Sequence, residues 1–141
     1  MKREQGFSLI ELLVVVVIIG VIAALAIPGL QKARRYAQSG SAIQSLRTIT
    51  TAQILYQRRY NVYASLAALA PEGTVDSNLG AGDKSGYTFT LSVSADQKHF
   101  TCNADPQQDP TTGDFFFFDE TTVIRANTGS PADASSNPIP R

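Results

Sequence analysis

Gly6-Phe7-Ser8-Leu9-Ile10-Glu11-Leu12-Leu13 opens the stretch FSLIELLVVVVIIGVIAALAIPGL, residues 7–30, in which one carboxylate stands at the head of a long apolar run. From Leu12 to Ile27, 16 consecutive residues carry no polar side chain. As a helix, the 24 residues from Phe7 to Leu30 span roughly 36 Å at about 1.5 Å per residue, enough for a hydrocarbon core of about 30 Å. Whole-chain averages hide this, because 141 residues with 43% apolar and 17% charged content describe an ordinary small soluble domain. The chain therefore joins two materials, a membrane-grade helix and a water-soluble head.

Three explanations compete for the apolar run. A plain transmembrane anchor satisfies the length. A secretory signal peptide has its basic start in Lys2 and Arg3 and a small-residue site at Ala24-Leu25-Ala26. The run is too long for the apolar region of a signal peptide, and Glu11 gains such a peptide nothing. Glu11 also argues against a plain anchor, since a carboxylate in a membrane helix is costly and persists where it has a partner.

The octapeptide from Gly6 to Leu13 resembles the processing site shared by type IV pilins and the pseudopilins of type II secretion. The motif covers the first quarter of the chain. The resemblance implies that a prepilin peptidase and N-methyltransferase cuts between Gly6 and Phe7 and leaves an N-methylated Phe7, residues 1–6 being the leader. It further implies that the carboxylate of Glu11 meets the Phe7 amine of a neighbouring subunit during assembly. The remaining partners it implies are further copies of the chain, an inner-membrane platform protein, an assembly ATPase and a secretin. The chain would sit in the inner membrane with a single pass, then in an extracellular pilus, or in a periplasmic filament if it is a pseudopilin. The spacing agrees, because Glu11 lies four residues, about one helical turn, beyond Phe7. Positive-inside counting leaves orientation open, as Lys32, Arg34 and Arg35 nearly balance Lys2 and Arg3.

Pro28 has no amide donor and its ring crowds the carbonyl of Ala24, so Gly20, Pro28 and Gly29 mark where the helix is expected to bend or loosen. A harmless membrane-helix kink is the alternative. Residues 31–60 read as an amphipathic continuation, with Tyr36, Ile43, Leu46, Ile49, Tyr56 and Tyr60 on one stripe. Arg34, Arg35, Arg47, Arg58 and Arg59 fall off that stripe and read as a solvated or subunit-facing surface.

The head, residues 61–126, begins with a short helix around residues 65–69, stopped by Pro71-Glu72-Gly73, and a polar glycine-rich loop to Gly86. Alternation predicts strands over residues 87–93, 98–104, 114–118 and 123–126, a small antiparallel meander packed on the helix. The expected class is α+β, with the type IV pilin fold. Phe115 to Phe118 must send alternate rings to opposite faces. The outward pair reads as a subunit contact or as packing under the C-terminal tail. That tail, residues 127–141, is rich in Ser, Ala, Asn and Pro and is expected to be mobile or loosely laid on the surface.

The formal charge is zero, from 12 basic and 12 acidic side chains; removing Lys2, Arg3 and Glu4 leaves 10 and 11. No net field marks the whole chain for nucleic acid. Cys102 stands alone, so no intrachain disulfide forms, and its alternating segment predicts a buried thiol. His99 is expected on the outer face. Asp105, Asp109, Asp114, Asp119 and Glu120 follow no calcium-loop spacing and read as solvated. No nucleophile–base pair or phosphate-cradling loop appears, so the chain reads as a structural subunit without cofactor or metal, not an enzyme. A type IV pilus subunit is the leading function. A type II secretion pseudopilin or a minor pilin is the alternative.

Overall fold

The computed structural model describes residues 6–140. Apart from Gly6, the expected leader lies outside the described residues, as do Lys2, Arg3 and Arg141. The elements are α1 (Leu9–Tyr60), α2 (Leu66–Leu69), α3 (Ser77–Gly80), β1 (Asp83–Lys84), β2 (Tyr87–Val93), β3 (Phe100–Pro106), β4 (Asp114–Asp119), β5 (Arg125–Thr128) and β6 (Asn137–Pro138). The chain divides into two compact units, one ending at Tyr36 and the other beginning at Ala37. The first is the apolar part of α1; the second holds the rest of α1 and everything after it.

In the second unit the six strands form one antiparallel sheet in sequence order, β1-β2-β3-β4-β5-β6, so the meander is α+β as the alternation predicts. Its inner face carries Tyr87, Phe89, Phe100, Cys102, Ala104, Phe116 and Phe118 against α1. Period-two alternation sends every second residue of β2 and β3 inward, which is why Thr88, Thr90 and Thr101 stay exposed. Phe100 bridges the layers, edge-on to Phe118 at 5.4 Å and to Tyr63 at 4.7 Å. Cys102 is fully buried, and desolvation pushes its thiol well above the ordinary range, so it packs as a small apolar group.

The helix stripe differs from the one expected. Leu46 and Ile49 are fully buried, and Ile43 and Tyr56 are partly buried, but Tyr36 and Tyr60 face solvent. Their places on the buried face are taken by Ala42, Ser45, Ala52 and Gln53. Small residues at the contact let the sheet lie close to the helix backbone, which a search for large apolar residues overlooks.

Gln53 performs a separate task. Its amide is fully buried and clasps the backbone of Ala64, Nε2 donating to the carbonyl at 2.6 Å and Oε1 accepting from the N–H at 3.0 Å. Asn61, at φ 58°, ends α1 in the left-handed conformation, its N–H bonded to the Gln57 carbonyl. Gln53 then fixes where the chain turns back.

The loop expected up to Gly86 contains α3 and β1. Asp76 caps α3 by accepting from the Leu79 N–H, and Ser85-Gly86, both at positive φ, form the two-residue turn of the β1–β2 hairpin. Gly82 is required by space as well as by φ, because a Cβ there would lie 2.8 Å from the Phe89 carbonyl oxygen.

The tail is the largest correction. β5 runs over Arg125–Thr128 rather than 123–126, and β6 pairs with it. Ile139 N–H donates to the Ile124 carbonyl, the Arg125 guanidinium to the Ser136 carbonyl, and Asn103 Nδ2 to the Ala132 carbonyl. Ala132 is buried against Phe115 and Phe117, which are therefore covered by the chain's own tail, the second of the two expected environments. Backbone pairing, invisible to composition, orders this Ser- and Asn-rich segment.

The acidic residues are more engaged than a solvated reading allows. Asp114 accepts from Thr128 Oγ1 at 2.8 Å, and Asp105 is half-buried with an oxygen, Oδ1, that has no partner among the described residues. Among those residues, no three His, Cys, Asp or Glu side chains gather as a metal site.

Two consequences are measurable. Thr122 sits at φ 61°, a conformation that a β-branched residue adopts only under strain. Thr122→Gly is expected to raise stability by about 0.5–1 kcal/mol in chemical denaturation of the detergent-solubilised chain. His99 is exposed as expected, but Nδ1 lies 2.8 Å from Glu120 Oε1, and that hydrogen bond raises its pKa above the ordinary 6.5. The contribution of a raised histidine is complete below its unfolded value and is lost as pH rises through the folded value, which lies above 6.5. The thermal midpoint of wild type should therefore exceed that of His99→Gln at about pH 5.5 and equal it near about pH 8.5.

Candidate assembly site

Of the residues that the sequence singles out, Gly6, Phe7 and Glu11 lie at the start of α1, and Gly20, Pro28 and Gly29 lie further along it. Gly6, Phe7 and Ser8 precede the helix in non-helical backbone, so the Gly6–Phe7 bond lies outside any hydrogen-bonded element. Among the described residues, a Cβ at Gly6 would meet nothing within 4 Å, so none of them requires glycine there. A requirement for glycine at this position would have to come from whatever handles the chain.

Ser8 and Glu11 form a capping box. Ser8 Oγ accepts from the Glu11 N–H at 3.2 Å, while Glu11 Oε2 accepts from the Ser8 N–H at 2.9 Å and from Ser8 Oγ at 2.8 Å. This satisfies helix-end donors that have no intrahelical acceptor. The signal was legible as Ser-x-x-Glu ahead of an apolar run, and a reading of Glu11 only as an ion-pair partner passes over it. The box folds the carboxylate back toward the residue that cleavage after Gly6 would make the terminus. A negative group at this end also complements the helix dipole.

Beyond the box, α1 runs unbroken through Gly20, Pro28 and Gly29. A Cβ at either glycine would meet nothing within 4 Å, so both leave bare backbone on the surface. From Phe7 to Leu30, 16 large apolar side chains are 47–83% exposed. Fully burying each is worth about 1.5–3 kcal/mol, so the unmet burial amounts to tens of kcal/mol, against a typical domain stability of about 5–15 kcal/mol. Such a surface is covered by lipid or by other protein. The helix is long and apolar enough to cross a membrane.

An apolar rod capped through a carboxylate, leading into a helix backed by an antiparallel meander, defines an α+β protein of pilin type. Residues 1–27 match the family model described as the prokaryotic N-terminal methylation motif. The chain is 40% identical over 94 residues to the type IV major pilin protein PilA of Myxococcus xanthus, covering 64% of this chain and 39% of that one. It is 35% identical over 93 residues to the type II secretion system core protein G of Pectobacterium carotovorum, covering 63% and 60%. The corresponding core protein G of Pseudomonas aeruginosa is 32% identical over 96 residues, covering 65% and 68%. No solved structure matches the chain.

The chain belongs to the family of type IV pilins and type II secretion pseudopilins. It spans between about two fifths and three fifths of the length of the first two of these relatives.

Proposed function

We propose that this chain is a structural subunit that polymerises through α1 into a type IV pilus filament. The observation that carries the proposal is the exposed apolar rod with one carboxylate in its first turn. In this reading residues 1–6 are a leader, cut between Gly6 and Phe7 by a prepilin peptidase that also methylates the new amine. Residues 7–30 anchor the precursor in the inner membrane and later pack in the filament core. Residues 31–60 continue the helix into the head, 61–126, and the tail, 127–141, closes it.

During assembly the Glu11 carboxylate leaves its Ser8 partners for the Phe7 amine of a neighbour. In a core without water, an unpaired carboxylate would be far less favourable than the matched pair. Where Pro28 withholds an amide from the Ala24 carbonyl, the segment from Gly20 to Gly29 is the place for helical bonds to open under tension. Assembly takes the chain through a platform protein driven by an ATPase and out through a secretin. The role is structural, without catalysis or cofactor.

The greater share of length matched in the core protein G relatives favours a second reading, a pseudopilin whose filament stays periplasmic. Deleting the gene and shearing the cells separates the two. Loss of surface fibres containing this chain supports the pilus. Retained fibres with a block in protein secretion support the pseudopilin.

A further inference from the structure

We propose that the outward face of α1 between Arg47 and Arg58 is a docking surface for the acidic head of a second copy of this chain, an inference that rests on the filament reading. Arg47, Thr51, Ile54 and Arg58 recur at intervals of four, three and four, which places them on one side of the helix. Ile54 is 39% exposed and the adjoining Leu55 48% exposed, an apolar centre between two guanidinium groups. The face continues into a groove whose other walls include Val123, Ile124, Pro138 and Ile139. An apolar centre with arginine at its edge is the composition of a protein interface.

The charges identify the occupant. Between Glu11 and Glu72 the chain has six basic residues, Lys32, Arg34, Arg35, Arg47, Arg58 and Arg59, and no acidic one. From Glu72 onward it has ten acidic residues against four lysines and arginines. A net charge of zero thus conceals a basic helix joined to an acidic head, complementary from copy to copy.

Within the second unit, from Ala37 onward, part of the match is used and part is left open. Among the described residues of this unit, Arg59 bonds Glu72, Lys84 bonds Asp76, His99 bonds Glu120, Lys98 bonds the Asn61 carbonyl and Arg125 the Ser136 carbonyl. Arg47 and Arg58 are its described cations that have neither an ion pair nor a side-chain hydrogen bond. Exposed ion pairs contribute little by themselves. Ile54 and Leu55 supply the buried area, and the arginines supply orientation and partner choice. A nucleic-acid strand is a poorer fit, since it asks for a continuous basic track with stacking aromatics, and this face has aliphatic residues at its centre.

The test uses the full chain in its own cells. A photo-crosslinking benzoylphenylalanine is placed at Leu55, sheared filaments are irradiated, and the crosslinked peptides are sequenced. Crosslinks to residues 72–140 that migrate at the mass of two chains on a denaturing gel, and so join two copies, are expected; crosslinks to that region found only at the mass of one chain would overturn the proposal. Crosslinks confined to another copy's residues 7–60, to nucleic acid or to lipid, or none at all in intact filaments, would overturn the proposal.

Separately, the double variant Arg47→Glu/Arg58→Glu should lower filament yield at least about tenfold while its thermal midpoint in detergent matches wild type. Equal yields would refute the surface while leaving the filament reading intact. Wild-type cells without filaments would instead remove the filament reading, and this surface with it.

Discussion

Glu11→Val should stay in the membrane and drop out of the filament, with sheared-fibre yield down by at least about tenfold while the membrane fraction holds at least as much chain as wild type. The substitution makes α1 more apolar, so insertion cannot suffer on hydrophobic grounds. It removes two things together, the capping partner of Ser8 and the negative charge, and other variants separate them. Ser8→Ala removes the two hydroxyl bonds of the box but keeps the carboxylate and the backbone N–H bond to it, and should lower yield by less than about threefold, the scale of a weakened helix cap. Glu11→Gln keeps an acceptor for Ser8 but has no charge for an amine, and should fail almost as completely as Val. If Ser8→Ala were as defective as Glu11→Val, with Glu11→Gln normal, capping and not charge would explain the residue.

Gln53→Leu should lower the stability of the head by about 2–5 kcal/mol, although it exchanges a polar side chain for an apolar one of similar size in a buried position. The reason is the pair of groups left behind, since the buried N–H and C=O of Ala64 would both lose their partner. Each unsatisfied buried group costs about 1–3 kcal/mol. For a unit of this size the thermal midpoint should fall by roughly 10–20 °C. Gln44→Leu, on the exposed side of α1, should stay within about 0.5 kcal/mol of wild type in the same detergent. A Gln53→Leu variant as stable as the Gln44 control would mean that the clasp contributes nothing.

These two residues illustrate how much of the molecule could be read in advance. Glu11 is conspicuous because it is a charge where hydropathy forbids one, and the strands are legible because Tyr87, Phe89, Phe100 and Cys102 alternate with polar residues. Gln53 carries no such mark. Its polarity argues for the surface, and only the return of the chain at Ala64 makes it a core residue. The buried face of α1 was misplaced at Tyr36 and Tyr60 for a related reason, because ring size suggests burial while the sheet settles against Ala42, Ser45 and Ala52. Phe115 and Phe117 show the same limit. Period two correctly turns them outward, but composition could not reveal that Ala132 of the tail would cover them.

The N-terminal site divides in a different way. The spacing of Gly6, Phe7 and Glu11 carries the family resemblance, and the open space around Gly6 fits a residue kept for an outside partner. In the proposed filament, what the amine of Phe7 would meet depends on a second copy.

In the proposed filament the rod exposed in one chain is buried among many, and its end is prepared by cleavage. Intact-mass and terminal sequencing of the chain recovered from sheared filaments tests this most directly. A first residue at Phe7 bearing one methyl group is the predicted result. A chain beginning at Ile27, recovered as a soluble monomer without the rod, would contradict it.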